Sequence, residues 1–220
     1  PNVAGPRVEA GLRQVFLPAE AIPLDELREY VSHELAGHVA RSMAGESSLL
    51  GLLGMGTKGY MVTEEGIADY YERQAAALHG DPVDDSGIWL GTLSIGLACG
   101  VASSPQTFSS LRAFFEPFLL LYRLLWRDDE DRQTAERRAQ RNAFTRCLRT
   151  FRGVPNLEQA GICNTKDVVY LRGRWLIEQE VARDETVLDR LAVGKVDVEL
   201  LLELGRLGIT ASSHSFRTLA

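Results

Sequence analysis

Two of the four histidines in this chain of 220 residues, His33 and His38, lie five positions apart, and Glu34 directly follows the first. The pattern is close to His-Glu-x-x-His, in which two helical histidines bind zinc and the glutamate is the general base of a peptidase. On an ideal α-helix, four residues leave the two imidazoles about 40° apart, whereas five residues turn them about 140° apart. One shared metal ion therefore requires a local widening of the helix, as in a π-bulge, and we expect it near Gly37.

A third ligand would complete such a site, because catalytic zinc usually takes three protein ligands, often including a carboxylate. Glu64 and Glu65 follow a glycine-rich connection, 45–59, that would let the chain fold back. A simpler interpretation exists for each part. The histidines can be unrelated, and acidic residues in the first turn of a helix capped by Thr63 are favoured by the helix dipole. Spacing alone leaves the site, and the choice between the two glutamates, open.

The elements that must position these residues are predicted to be helices. Apolar residues recur at helical spacing after Pro23, over 24–39, and again after Thr63, over 67–75. The only candidate strand that we predict is short and covers 15–17. We expect a mainly α fold with at most a small β element near the N-terminus, organised as one domain over 1–220. Further helices are predicted over 86–110, 111–126, 128–152, 166–183 and 196–207.

Residues 86–110 carry no charged side chain, and glycines four residues apart recur in this segment. Such spacing suits either a close-packed membrane helix or a buried helix of a globular domain. Because glycine and serine leave the segment only weakly apolar, we expect the buried helix and no membrane span.

Composition excludes several classes of protein. With 24 basic and 30 acidic residues, the formal net charge is −6, which argues against a nucleic-acid-binding protein. Basic residues cluster only over 132–152, where we expect them to pair with the acidic run 128–131. Three cysteines without a Cys-x-x-Cys motif exclude a disulfide framework, so we expect buried thiols and a cytoplasmic location. The chain begins at Pro1 without a visible signal peptide, and the missing methionine indicates processing or a longer parent chain.

Four short motifs occur in an order that resembles one known family. The first two are His-Glu-x-x-x-His at 33–38 and Thr-Glu-Glu-Gly-Ile-Ala at 63–68, and the others lie at 149–153 and 165–173. Together they are similar to the microtubule-associated tyrosine carboxypeptidase family, whose bacterial relatives are named flavohaemoglobin-expression-modulating QEGLA-motif proteins. Ile67 stands where the family often has leucine, and the segment between His38 and Thr63 differs among its members.

The resemblance implies the third metal ligand. In that family the glutamate directly before the motif glycine binds the metal, which corresponds to Glu65, while Glu64 takes the position of a glutamine or glutamate. We therefore expect one Zn²⁺ ion held by His33, His38 and Glu65. Glu34 is expected to accept the proton of a metal-activated water and to pass it to the leaving amine.

A carboxypeptidase must also bind the free carboxylate of a peptide or protein C-terminus. Arg152 and Lys166 are our candidates for that contact, with Tyr170 as a hydrogen-bond donor to the substrate. Each residue also has a structural interpretation. Arg152 can pair with the acidic run, Lys166 can cap a helix, and Tyr170 can pack in the core. Two other functions stay open, a non-catalytic regulatory or partner-binding domain that retains the fold and a zinc endopeptidase. The intact His-Glu and Glu-Gly elements argue against the non-catalytic domain. Nothing in the sequence identifies tubulin as a substrate.

Overall fold

The computed structural model describes residues 7–9, 14–17, 21–83, 85–101, 103–126 and 130–211. The chain forms two compact units, one made of Pro1–Asp84 with Val169–Ala220 and the other of Asp85–Val168. Each unit has its own hydrophobic core. The single domain over 1–220 stays a prediction.

Helices make up most of the described chain, which confirms the mainly α fold. The β element is a two-stranded antiparallel sheet of β1 (Arg7–Glu9) and β2 (Gln14–Phe16). The helices in chain order are α1 (Leu24–Tyr30), a π-helix (Val31–Val39), α2 (Ala40–Ser47), a 3-10 helix (Gly51–Gly54), α3 (Tyr60–His79), α4 (Ser86–Cys99), α5 (Phe108–Trp126), α6 (Arg132–Thr150), α7 (Val168–Arg183), α8 (Val187–Leu191), a second 3-10 helix (Val198–Leu200) and α9 (Leu201–Arg206).

In the first unit, α1, the π-helix and α2 follow one another without a break. The helix α1 and the π-helix pack against α3, and α2 packs against the 3-10 helix at Gly51–Gly54. The helix α3 begins at Tyr60, after Gly59 with φ +83°, and not at Thr63 as expected. Thr63 is fully buried inside the helix, where its Oγ1 accepts a hydrogen bond of 3.2 Å from the Val198 amide. Glu64 and Glu65 therefore lie beyond the first turn, where the helix dipole no longer explains acidic residues. The core of this unit is formed by Leu53, Ile67, Ile177, Val187, Leu191, Val193, Val196, Leu204 and Ile209.

In the second unit, α5 and α6 pack along each other and α4 covers them. The expectation of a buried helix after residue 86 holds for α4, in which Gly91, Ser94, Ile95 and Ala98 are buried. Among the helices of the described chain, none combines the length and the apolar character that crossing a membrane would require. The core of this unit is formed by Ala98, Phe108, Leu111, Phe115, Leu119, Ala139, Ala143, Cys147 and Phe151.

The cysteines only partly follow the expectation of buried thiols. Cys147 is buried, and burial raises the pKa of its thiol to about 11. Cys99 and Cys163 are half-buried free thiols whose Sγ atoms lie 3.3 Å apart.

Candidate metal centre

The π-helix brings His33 and His38 onto one face. A π-helix bonds each residue to the fifth along the chain, so a separation of five residues is about one turn. All nine residues from Val31 to Val39 adopt this form, and the two imidazole rings lie 5.1 Å apart, edge to face. The widening that the His-Glu-x-x-x-His pattern requires is therefore present.

Gly37 sets how closely the π-helix approaches α3. It is buried, and a Cβ at this position would lie 2.6 Å from Cβ of Ala68 and 2.7 Å from its Cα. Atoms at such separations overlap, so any side chain at residue 37 would push the two helices apart. The glycine between the histidines therefore matters for packing, while the widening extends over all nine residues of the π-helix and is not confined to Gly37.

Glu65 on α3 faces the two histidines. Its Oε2 lies 3.9 Å from Nε2 of His33 and 3.7 Å from Nε2 of His38, and the three ligand atoms lie within 4.8 Å of one another. Around a tetrahedral zinc ion with bonds of about 2.0 to 2.2 Å, ligand atoms are about 3.4 Å apart. A small closure of these side chains would reach that geometry. Two imidazole nitrogens and one carboxylate oxygen also match the donor set of several catalytic zinc sites.

The other nitrogen of each imidazole is bound by a second carboxylate. Nδ1 of His33 lies 2.8 Å from Oε2 of Glu72, and Nδ1 of His38 lies 3.0 Å from Oε1 of Glu64. A carboxylate at Nδ1 favours the proton there, which leaves Nε2 as the lone-pair nitrogen that faces Glu65. This arrangement is typical of metal-ligating histidines, whose second nitrogen is held by a carboxylate or carbonyl.

Glu64 is in turn anchored by a buried cation. Arg41 on α2 is 4% exposed and its Nη1 donates to Oε2 of Glu64. The rest of the guanidinium donates to the backbone carbonyls of Leu191, Gly194 and Val196, at 2.7 to 3.3 Å. Burial lowers the pKa of Arg41, although the charge of Glu64 opposes that effect. The carboxylate that orients His38 is therefore fixed from the opposite side.

Negative charge dominates the surroundings of His33. Burial acts to lower its pKa, but the hydrogen bond to Glu72 and the charges of Glu72, Glu34 and Glu65 outweigh burial and raise it. Burial and the neighbouring Glu72 also raise the pKa of Glu29 to about 7. A dication at Nε2 would offset part of this excess negative charge.

Two motif glycines make the contact between α3 and α7. A Cβ on Gly66 would lie 2.3 Å from the carbonyl oxygen of Gly173, and a Cβ on Gly173 would lie 2.3 Å from the carbonyl oxygen of Val62. The helices can cross at this distance only without side chains at both positions. Gly66 directly follows Glu65, so the crossing fixes the segment of α3 that carries the candidate ligand.

An ion pair next to this crossing also joins the two helices. Asp69 on α3 accepts two hydrogen bonds from Arg174 on α7, at 2.6 and 2.9 Å. Burial raises the pKa of Asp69, although Arg174 acts in the opposite direction.

The remaining predicted residues lie in different places. Glu34 is half-buried in the π-helix, and Tyr170 is half-buried in α7 of the same unit. Arg152 and Lys166 are exposed residues of the other unit, and within the described ranges neither side chain forms an ion pair. The structure thus brings together His33, His38 and Glu65, while the roles of the other four stay predictions.

The sequence interpretation considered Glu64 only as a candidate metal ligand, and it missed Glu72 and Arg41. Glu65, Asp69 and Glu72 recur at helical spacing, which places them on one face of α3. That acidic stripe was the available signal, and it points to the same side as Glu65. No comparable signal exists for Arg41, because its carbonyl partners lie in a distant segment of the chain.

Part of the chain is similar to a known protein family. Residues 120–214 match the family model described as microtubule-associated tyrosine carboxypeptidase. The matched segment includes Arg152, Lys166 and Tyr170, whereas the three candidate metal ligands precede it. Among curated proteins and among solved structures, no significant match is found. The match covers less than half of the chain and agrees with the resemblance drawn from the sequence motifs, because residues 120–214 are similar to this carboxypeptidase family.

Proposed function

We propose that this chain is a zinc-dependent metallopeptidase that removes the C-terminal residue of a peptide or protein. The observation that carries the proposal is the convergence of the two Nε2 atoms of His33 and His38 on Oε2 of Glu65, at 3.9 and 3.7 Å. A zinc ion held by these three side chains would polarise the scissile carbonyl and lower the pKa of a water molecule. The match of residues 120–214 to a carboxypeptidase family supports the choice of substrate class.

The chain's own side chains supply the remaining steps. Glu34 is adjacent to His33, and we propose that its carboxylate accepts a proton from the attacking water and returns it to the leaving amine. Glu72 and Glu64 hold the imidazoles in the tautomer that leaves each Nε2 free. The side chains of His33, His38 and Glu65 are only 23%, 20% and 12% exposed, which keeps most bulk water away from the reacting groups.

Selectivity for a chain terminus requires a cation that binds the free carboxylate. We propose Arg152 and Lys166 for this contact, with Tyr170 as a donor to the substrate carboxylate or to the developing oxyanion. Both cations are exposed and therefore accessible to a peptide. A cytoplasmic location is part of the same proposal, because all three cysteines are free thiols.

The decisive experiment combines metal analysis with one substitution. Purified chain should contain about one zinc ion per molecule by elemental analysis. Glu34→Gln should retain that zinc while losing cleavage of a C-terminal peptide library by at least about a hundredfold, since general base catalysis contributes about that much. Glu26→Gln is the matched control, because Glu26 is an exposed glutamate of the adjoining helix α1.

Each alternative function has a distinct result. Absence of zinc would refute the metallopeptidase, and zinc without any cleavage would leave a non-catalytic domain. Peptides with a free C-terminus and their amidated forms separate exopeptidase from endopeptidase, because only the exopeptidase needs the carboxylate. Equal cleavage of both forms would indicate a zinc endopeptidase.

A further inference from the structure

The second unit contains a cavity of about 250 Å³ between α4, α5 and α6. Four residues of α6 line it, Asn142, Thr145, Arg146 and Arg149, at the spacing of one helix face. Ser86 of α4 adds a hydroxyl group. The other lining residues are apolar, namely Leu90 of α4 with Phe115 and Leu119 of α5. The lining of the cavity therefore combines polar and basic residues of α6 with apolar residues of α4 and α5.

The two arginines of this cavity differ in how their charge is balanced. Nε and Nη2 of Arg149 each lie 3.0 Å from Oδ2 of Asp167, so Arg149 is already neutralised. In the part of the chain that the structure describes, no hydrogen bond or ion pair engages the guanidinium of Arg146. Burial and the nearby charge of Arg149 lower the pKa of Arg146 despite the opposing charge of Asp167.

The Arg146 guanidinium lies close to α4 at Gly91. A Cβ at residue 91 would lie 3.4 Å from Nη1 of Arg146 and 3.9 Å from Oδ2 of Asp167, which is van der Waals contact. Gly91 is itself buried, which places the guanidinium against the helix backbone rather than in open solvent. Arg146 and Arg149 together carry two positive charges against the single charge of Asp167. The net positive charge that is left is partly buried and therefore costly, and a bound anion would reduce that cost.

We propose that this cavity binds a small organic anion, a monocarboxylate with an apolar body. Its carboxylate pairs with the fork of Arg146, with Asn142 and Thr145 as further donors, and its apolar body packs on Leu90, Phe115 and Leu119. A single negative charge fits because Arg149 already pairs with Asp167, whereas Arg146 forms no ion pair among the residues that the structure describes. The volume lies just below the range of about 300 to 1,000 Å³ for drug-sized ligands, which restricts the occupant to a small molecule.

Calorimetric titration of the full chain with phenylbutyrate tests this proposal. The carboxylate should bind, and the uncharged phenylbutyramide should bind at least about tenfold more weakly, since a charge-assisted hydrogen bond is lost. Acetate, which lacks the apolar body, and inorganic phosphate, which has a second charge, should both bind more weakly than phenylbutyrate. Equal affinity for the acid and its amide would overturn the proposal, and so would preferential binding of phosphate.

Substitution of the cation locates the binding to this cavity. Arg146→Gln should weaken phenylbutyrate binding by at least about tenfold, whereas Arg141→Gln should leave it unchanged. Arg141 is an exposed arginine of the same helix that does not line the cavity, so the change of net charge is matched. Should Arg146→Gln fail to fold, Arg146→Lys keeps the charge without the planar fork and should still reduce the affinity. Wild-type affinity in a folded variant at residue 146 would refute the site.

Discussion

At the scale of single residues, the contact between Glu72 and His33 offers a test of metal affinity that does not depend on catalysis. Glu72 touches the candidate ligand at Nδ1, away from Nε2. We expect Glu72→Gln to weaken zinc binding by about ten- to a hundredfold, because a neutral amide fixes and polarises the imidazole less well. Competition with a chromogenic chelator measures this change without any activity assay.

Glu72 is a cleaner choice than Glu64 for that measurement. Removing the Glu64 carboxylate would leave the buried Arg41 without its anion, and breaking a buried ion pair costs about 3 to 5 kcal/mol. Glu178→Gln is a suitable control, because Glu178 pairs with Arg73 at an exposed position. Wild-type zinc affinity in Glu72→Gln would show that the Nδ1 contact has no part in metal binding.

Sequence motifs identified the candidate ligands but not the residues that hold them. The spacing of His33, Glu34 and His38 carries chemical meaning, and the resemblance to a family selected Glu65 over Glu64. Arg41 could not be found in this way, since its role depends on the carbonyls of Gly194 and Val196, which only the tertiary fold brings near. Short sequence motifs therefore predict the candidate ligands, whereas the residues that support those ligands through long-range contacts can be identified only from the tertiary structure.

At the scale of elements, Glu130 joins α5 to α6 in the second unit. It accepts hydrogen bonds from Arg123 on α5 at 2.6 and 2.8 Å, and from Arg138 on α6 at 2.5 Å. The expected pairing of the acidic run with basic residues is therefore found for Glu130. The hydrogen bond from Arg123, followed by the charges of Arg123 and Arg138, lowers the pKa of Glu130 although burial opposes it.

This lowered pKa predicts an acid-sensitive connection between the two helices. The unfolded chain binds the proton more readily, so the stabilisation is complete above about pH 5 and is lost as the pH falls through the folded pKa. We expect the urea midpoint of wild type to fall between about pH 5 and about pH 3, and that of Glu130→Gln to fall less. Glu136→Gln is the control, because its pair with Arg132 is exposed and exposed pairs contribute little. Identical pH profiles for Glu130→Gln and wild type would contradict the prediction.

At the scale of the whole molecule, helical periodicity predicted the fold class. It did not predict the residues at which the helices begin and end or the positions at which they cross. The pattern over 24–39 indicated a helix, and the structure continues that helix to Ser47 through the π-helix. The start of α3 at Tyr60 was not predicted, because the residue before the helix is Gly59 with its positive φ, and Thr63 accepts a hydrogen bond from the distant Val198 amide instead of capping the helix. The contact of Gly66 with Gly173 joins two motifs far apart in the chain, and no local pattern specifies such a contact.

The candidate metal centre links two elements of the first unit, since His33 and His38 come from the π-helix and Glu65 from α3. An ion that binds the folded chain but not the unfolded chain must therefore stabilise the whole unit against unfolding. At free zinc about a thousandfold above the dissociation constant, we expect about 4 kcal/mol of stabilisation, visible as a rise in Tm that a chelator reverses. The rise should disappear in Glu65→Ala and persist in Glu203→Ala, because the exposed side chain of Glu203 pairs with the neighbouring Arg206, away from the candidate ligands. A zinc-dependent rise of wild-type size in folded Glu65→Ala would place the ion elsewhere, since the cross-link between the two helices requires this carboxylate.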